Sequence, residues 1–163
     1  MSGGNWQNRF DKLVREQDLD FNFDIRPFDG VGSIKFGMTK QEFAHAFTHV
    51  YRSNLYPDKN YRSDYDNIVG LVVHYDNDGK IEEIEIYPNP KYSNARVSFR
   101  GVDITDFNRQ KAWDFFKEYA TDWGKDVYGY TSKSLGLSIY QHNWESENDP
   151  VDNYYIWEKG VWE

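Results

Sequence analysis

The chain has no cysteine among its 163 residues. No disulfide staples the fold, and no thiolate is available as a nucleophile or metal ligand, which fits a reducing compartment. No apolar run approaches the ~20 residues needed to span a bilayer. The opening Met1-Ser2-Gly3-Gly4-Asn5-Trp6 lacks a basic stretch followed by an apolar one, the pattern of a secretory signal. Together these features lead us to expect a soluble, cytoplasmic chain with no membrane association. Catalytic signatures are missing too. There is no Gly-x-Ser-x-Gly elbow, since Gly32-Ser33-Ile34 does not fit it. Gly30-Val31-Gly32 is too short for a dinucleotide fingerprint, and no Walker lysine follows it. The expectation is no cofactor and no enzyme.

Aromatic residues are plentiful: 18% of the chain, with 6 Trp, 13 Tyr and 11 Phe. Disordered chains are poor in aromatics, so the sequence is expected to fold despite a mean hydropathy of -0.88. The length suits a single domain over residues 1–163. Tyrosine buries its ring while its hydroxyl stays wet, and it serves the rim of a core or a binding surface equally well.

Acidic residues outnumber basic ones by 27 to 19, for a net charge of -8. The excess is uneven. Residues 1–60 balance at eight of each sign, whereas residues 101–163 hold twelve acids against six bases. A negative C-terminal third repels nucleic acid, whose binding depends on phosphate neutralisation, and attracts a basic protein. Ordinary solubilising charge is the plainer account of the same numbers.

Hydrophobic spacing sets out the elements. Trp6, Phe10, Leu13 and Val14 predict a helix over 5–17. An acidic, Phe-containing stretch, 18–24, leads to a short strand at Ile34 and Phe36. Thr39-Lys40-Gln41-Glu42 reads as a capping box opening a helix from about 40 to 51, with Phe43, Ala46, Phe47 and Val50 as its apolar stripe. Residues 52–66 read as a loop. Strands over 68–75 and 80–87 flank Asp76-Asn77-Asp78-Gly79, a hairpin turn. A strand over 95–100 follows, then a helix capped at Thr105 or Asp106 and closed near Gly124, then strands over 135–141 and 154–157. Short turns join most strands. The expected class is α+β, a mainly antiparallel sheet with about three helices packed on it.

Candidate sites compete with ordinary structural explanations. Asp76, Asp78 and Glu85 fall at positions of a calcium loop, but His74 stands where that loop needs an aspartate. Glu42, His45 and His49 share one helix face without a fourth ligand, as solvent-facing residues do; no metal is expected. His74 and His142 have no partner nearby in sequence. The most polarised stretch is Trp144, Glu145, Glu147, Asp149, Asp152, Tyr154 and Tyr155: four carboxylates within eight residues, flanked by rings. Such a patch receives Arg and Lys through ion pairs and cation–π contacts, and these seven residues are the expected partner-binding site. A solvated loop whose rings belong to the core is the competing account.

The segment from Gly32 to Phe43, GSIKFGMTKQEF, carries an apolar-Gly-Met-Thr run that caps a helix near the start of a small domain. With the Gly70–Asp76 and Val97–Asp103 segments, it resembles the immunity proteins of bacterial polymorphic-toxin and contact-dependent-inhibition systems. The resemblance spans about half the chain and assigns no functional residue. It implies a binding protein that blocks one basic toxin domain, a nuclease being the expected kind. Two other classes remain open: an enzyme with a dispersed carboxylate or histidine site, and a self-associating structural module.

Overall fold

A computed structural model of the chain describes residues 22–46, 54–55, 63–66, 70–88, 95–141 and 148–162. Thirteen strands and two helices lie in these segments. The helix expected over 5–17 lies outside them.

One sheet has five strands: β1 (Asn22–Arg26), β2 (Gly30–Val31), β3 (Ile34–Lys35), β8 (Arg96–Phe99) and β9 (Val102–Asp103), in the order β3-β2-β1-β8-β9. Its central pair, β1 and β8, is parallel, from Asn22 opposite Arg96 to Ile25 opposite Phe99. The other sheet is antiparallel throughout. It comprises β4 (Asn54–Leu55), β5 (Ser63–Asp66), β6 (Leu71–Tyr75), β7 (Ile81–Ile86), β10 (Gly124–Lys125), β11 (Gly129–Ser132), β12 (Leu137–Tyr140) and β13 (Asn153–Trp157), ordered β10-β11-β12-β13-β7-β6-β5-β4. The fold is thus mixed α and β, mostly antiparallel, with two sheets where one was expected.

The β6–β7 hairpin forms as its sequence dictates. Leu71, Val73 and Tyr75 alternate with half-exposed Val72 and His74, which places one face in the core. Gly79 takes φ 77 at the turn, a conformation that costs a residue with a Cβ. Asp76 Oδ1 accepts from the amides of Asp78 (2.8 Å) and Lys80 (3.0 Å), so this carboxylate holds the hairpin turn.

Helix α1 (Lys40–Ala46) begins where the capping box places it. The Glu42 amide donates to Thr39 Oγ1 at 3.2 Å, and Phe43 is buried. Glu42 and His45, two of the three residues considered for a metal, are exposed; His49 lies outside the described residues. Helix α2 (Arg109–Phe116) starts later than expected. Asn108 is its N-cap, accepting from the Lys111 amide at 2.8 Å. Thr105 is engaged elsewhere: buried, its hydroxyl accepts from the Val97 amide at 2.8 Å and donates to Asp103. The helix stops at Phe116 rather than near Gly124, and the Trp123 indole donates to the Phe116 carbonyl at 3.3 Å. Gly124 opens β10 instead.

One core unites both sheets and both helices. Phe23, Ile25, Val97 and Phe99 of the smaller sheet join Val73, Ile84, Leu137, Tyr154 and Ile156 of the larger, with Phe43, Ala112 and Phe116 from the helices. The sheets also meet at their turns: a Cβ on Gly136, at φ 61, would stand 2.7 Å from the Phe28 ring.

The β11–β12 turn depends on Asp122. Its carboxylate accepts from Ser132 Oγ (2.6 Å), the Ser134 amide (2.8 Å) and Ser134 Oγ (2.8 Å). Burial pushes its carboxyl up, but these hydrogen bonds outweigh that and hold it below the usual range. A carboxyl lowered in the folded state contributes stability above its unfolded value of about 3.9, and the contribution is lost as pH falls through the folded value. The stability gap between wild type and Asp122→Ala is therefore expected to be full at pH 6 and to shrink toward pH 2. Urea denaturation at both pH values measures it; a gap unchanged by acid would show that the carboxylate charge contributes nothing.

Candidate partner-binding face

The larger sheet has two unlike faces because neighbouring residues on a strand point opposite ways. The inner face carries Leu71, Val73, Ile84, Ile86, Leu137, Ile139, Tyr154 and Ile156 into the core. The outer face is polar and aromatic, with Ser138 and Trp157 buried and Glu85 and Tyr155 half-buried. One row across it runs Val72, Glu85, Tyr155, Ser138 and Thr131, each opposite the next. A second sets His74 opposite Glu83, and Glu83 opposite Trp157. Tyr140 and Tyr155 lie 6.5 Å apart and Tyr155 and Trp157 5.7 Å apart between ring centres, so three strand residues form a tilted aromatic strip.

Glu85 is the hub. Oε2 meets His74 Nε2 at 2.7 Å, while Oε1 accepts from the Tyr87 hydroxyl at 3.1 Å and from Asn153 Nδ2 at 3.4 Å. The side chains of His74 and Glu85 are 30% and 21% exposed, so the cluster borders water without being open to it. Among the described residues, the His74 ring is the basic group within ion-pair distance of Glu85. Burial raises the Tyr87 phenol above its ordinary range, helped by the charge and hydrogen bond of Glu85 and by the charge of Asp152. Tyr155 is raised likewise, by burial first and then by its hydrogen bond to Glu83, against a smaller opposing effect from its hydrogen bond with Trp162. Both phenols therefore remain neutral donors to carboxylates.

The chain matches no family model, no curated protein and no solved structure. What it does has to be read from this chemistry.

Of the seven residues expected to bind a partner, the four in the described residues do not share one face. Trp144, Glu145 and Glu147 lie outside the described residues. Tyr154 belongs to the core: it is 0% exposed, packs against Phe116 at 6.1 Å, and donates its hydroxyl to the Ile104 carbonyl at 3.2 Å. The reason is strand alternation, which sends Tyr154 inward and Tyr155 outward. Tyr155 lies on the outer face. Asp152 borders it, its amide donating to the Tyr140 carbonyl at 2.9 Å and its charge acting on Tyr87. Asp149 is half-exposed. Glu83, Glu85, Tyr87 and Asn153 are not among the residues expected to bind a partner, Glu85 being weighed only for a calcium loop. The signal was present in Ile81-Glu82-Glu83-Ile84-Glu85-Ile86, where alternation puts Glu83 and Glu85 together opposite the isoleucine face.

Proposed function

We propose that this chain is a protein-binding module whose outer sheet face, centred on Glu83, Glu85 and Tyr155, receives a basic protein. Its biological role on this reading is to neutralise a basic toxin domain, as the immunity-type resemblance implies. A nuclease is the kind of toxin that fits: its cationic surface evolved to hold phosphates, and an acidic face occupies the same positions. The observation that carries the reading is the arrangement itself. Half-buried carboxylates stand within an aromatic strip, and tyrosine rings beside carboxylates supply the desolvated contacts from which tight interfaces draw most of their energy. The overall charge of -8 adds long-range attraction.

The test is co-purification from the native host at low ionic strength with the full chain as bait, bound proteins being identified by mass spectrometry. A single basic partner is expected, retained by wild type and lost from a folded Glu83→Gln/Glu85→Gln double variant. Equal retention by that variant would remove the face from the binding site.

A second reading is favoured by one contact, His74 Nε2 to Glu85 Oε2 at 2.7 Å. A histidine oriented by a carboxylate is a general acid–base arrangement. On that reading a chain free of any partner turns over a small substrate, and His74→Asn abolishes the turnover while leaving the fold intact.

A further inference from the structure

Asn153 is 2% exposed, and strand alternation places it on the outer face, opposite in direction to the buried ring of Tyr154. Its amide nitrogen donates to Glu85 Oε1 at 3.4 Å, and its Oδ1 is buried with no hydrogen-bond partner. The carboxylate fixes this orientation, because an amide oxygen does not face a carboxylate oxygen. Buried acceptors in folded proteins are nearly always matched by donors, so an orphaned one beside a charged cluster marks a place where a donor is missing. The donors already there are committed: the Tyr87 hydroxyl to Glu85, the Tyr155 hydroxyl to Glu83, and the His74 ring to Glu85. Among the described residues the cluster therefore sets the unpartnered Asn153 Oδ1 beside two carboxylates, on two adjacent strands and next to tilted aromatic rings.

We infer that this cluster is a seat for one guanidinium group, that of an arginine on the basic partner, bounded by Glu83, Glu85, Asn153 Oδ1 and the Tyr155 ring. The inference rests on the partner-binding reading and specifies its centre. Arginine suits the site better than lysine for three reasons. Its planar fork offers five donors in fixed directions, matching acceptors spread across β7 and β13. It stacks on tyrosine faces. It is also weakly hydrated, so it slips between close-set side chains to reach an oxygen that water does not touch, where a compact hydrated ammonium is held outside. Trp162, half exposed and hydrogen-bonded to Tyr155, offers a further ring to the arginine stem.

The test uses the isotope-labelled full chain and two small probes, N-acetyl-argininamide and N-acetyl-lysinamide, followed by NMR on the Asn153 side-chain amide and the Tyr155 ring. The expected result is a saturable shift of both signals with the arginine probe, at least fivefold weaker with the lysine probe, and lost in Glu83→Gln. Unmoved Asn153 signals, or equal response to the two probes, would overturn the seat. These outcomes separate the inference from the reading beneath it. If a basic partner is captured by the wild-type chain but the arginine probe leaves Asn153 unmoved, the seat is wrong and partner binding stands. If the arginine probe binds selectively while no basic partner is captured, the seat stands and the toxin-neutralising role falls.

Discussion

Phe116→Ala is expected to cost about 3–5 kcal/mol of folding stability, the range for removing a buried phenylalanine ring. Phe116 is 0% exposed and stands where three parts of the molecule meet. Its ring lies 5.1 Å from Phe99 of the smaller sheet, 6.1 Å from Tyr154 of the larger sheet, and 6.3 Å from Trp123 beyond the helix. Alanine would leave a void walled by two strands and a helix, none of which collapses easily because hydrogen bonds fix each one. Whole domains hold only about 5–15 kcal/mol, so this single change consumes a large share of the total. At this chain length the melting temperature should fall by roughly 6–20 °C. The neighbouring Phe115, only partly buried, provides the comparison: its alanine variant should cost distinctly less. Urea denaturation followed by tryptophan fluorescence and by far-UV circular dichroism measures both. Coincident curves shifted to a lower midpoint would show that the two sheets unfold together. A two-step curve in Phe116→Ala would show that this ring is what couples them.

The same junction explains what the sequence made legible. The β6–β7 hairpin was readable because Leu71, Val73, Ile84 and Ile86 repeat at period two around an Asp-Asn-Asp-Gly turn, so local chemistry and tertiary burial agree. The start of α1 was readable for the same reason: the Thr39 hydroxyl is engaged within the cap itself, with the amide and carboxylate of Glu42. The start of α2 was misplaced because Thr105, a good cap by type, spends its hydroxyl on Val97 and Asp103. That choice depends on β8 lying beside it. Strand β1 was hidden by its acids, although Phe23 and Ile25 carry the alternation, and its parallel pairing with β8 joins residues more than seventy positions apart. No local pattern encodes such a pairing. Strands β10 and β11 lack a hydrophobic signal: Gly124, Lys125 and Gly129 hold no large apolar side chain, and Trp113 stacks on Tyr130 at 4.6 Å only once the helix is in place.

The candidate site shows the same division. Composition pointed to an acidic, aromatic stretch before β13; the described residues set Glu83 and Glu85 of β7 beside Tyr155, while Glu145 and Glu147 lie outside them. Counting charges along the chain favours a loop, where acids are adjacent in sequence. Binding faces on sheets are assembled across strands, so Glu85, Tyr155 and Ser138 are neighbours in space while belonging to three separate segments. Tyr154 and Tyr155 make the point at the scale of one bond. Identical side chains, adjacent in sequence, take opposite fates because the strand's pleat turns one inward and one outward.

If the outer face is the centre of the interface and Asp149 and Asp152 are its border, their substitutions should separate in kinetics. Glu85→Gln is expected to weaken the complex with the captured partner by about 2–5 kcal/mol, roughly thirty- to several thousand-fold, almost entirely through faster dissociation. Its carboxylate is mostly shielded and holds three hydrogen bonds, so a partner's cation meeting it loses water on contact and is left badly matched when the charge is gone. Asp149→Asn/Asp152→Asn should act on encounter instead. Charges at the rim attract the partner over about a Debye length, so their loss should slow association several-fold and flatten its salt dependence while dissociation barely changes. Stopped-flow or surface-based kinetics at two ionic strengths distinguishes the patterns, with thermal melting confirming that each variant is folded. The reverse assignment, fast dissociation from the Asp149/Asp152 variant and mere slowing of association from Glu85→Gln, would place the energetic centre at the loop before β13 and leave the sheet face as its margin. The physical reason to expect the first pattern is that a carboxylate contributes most where water is already largely excluded before the partner arrives, and Glu85, hydrogen-bonded on both oxygens and opposite Tyr155, is in such a place.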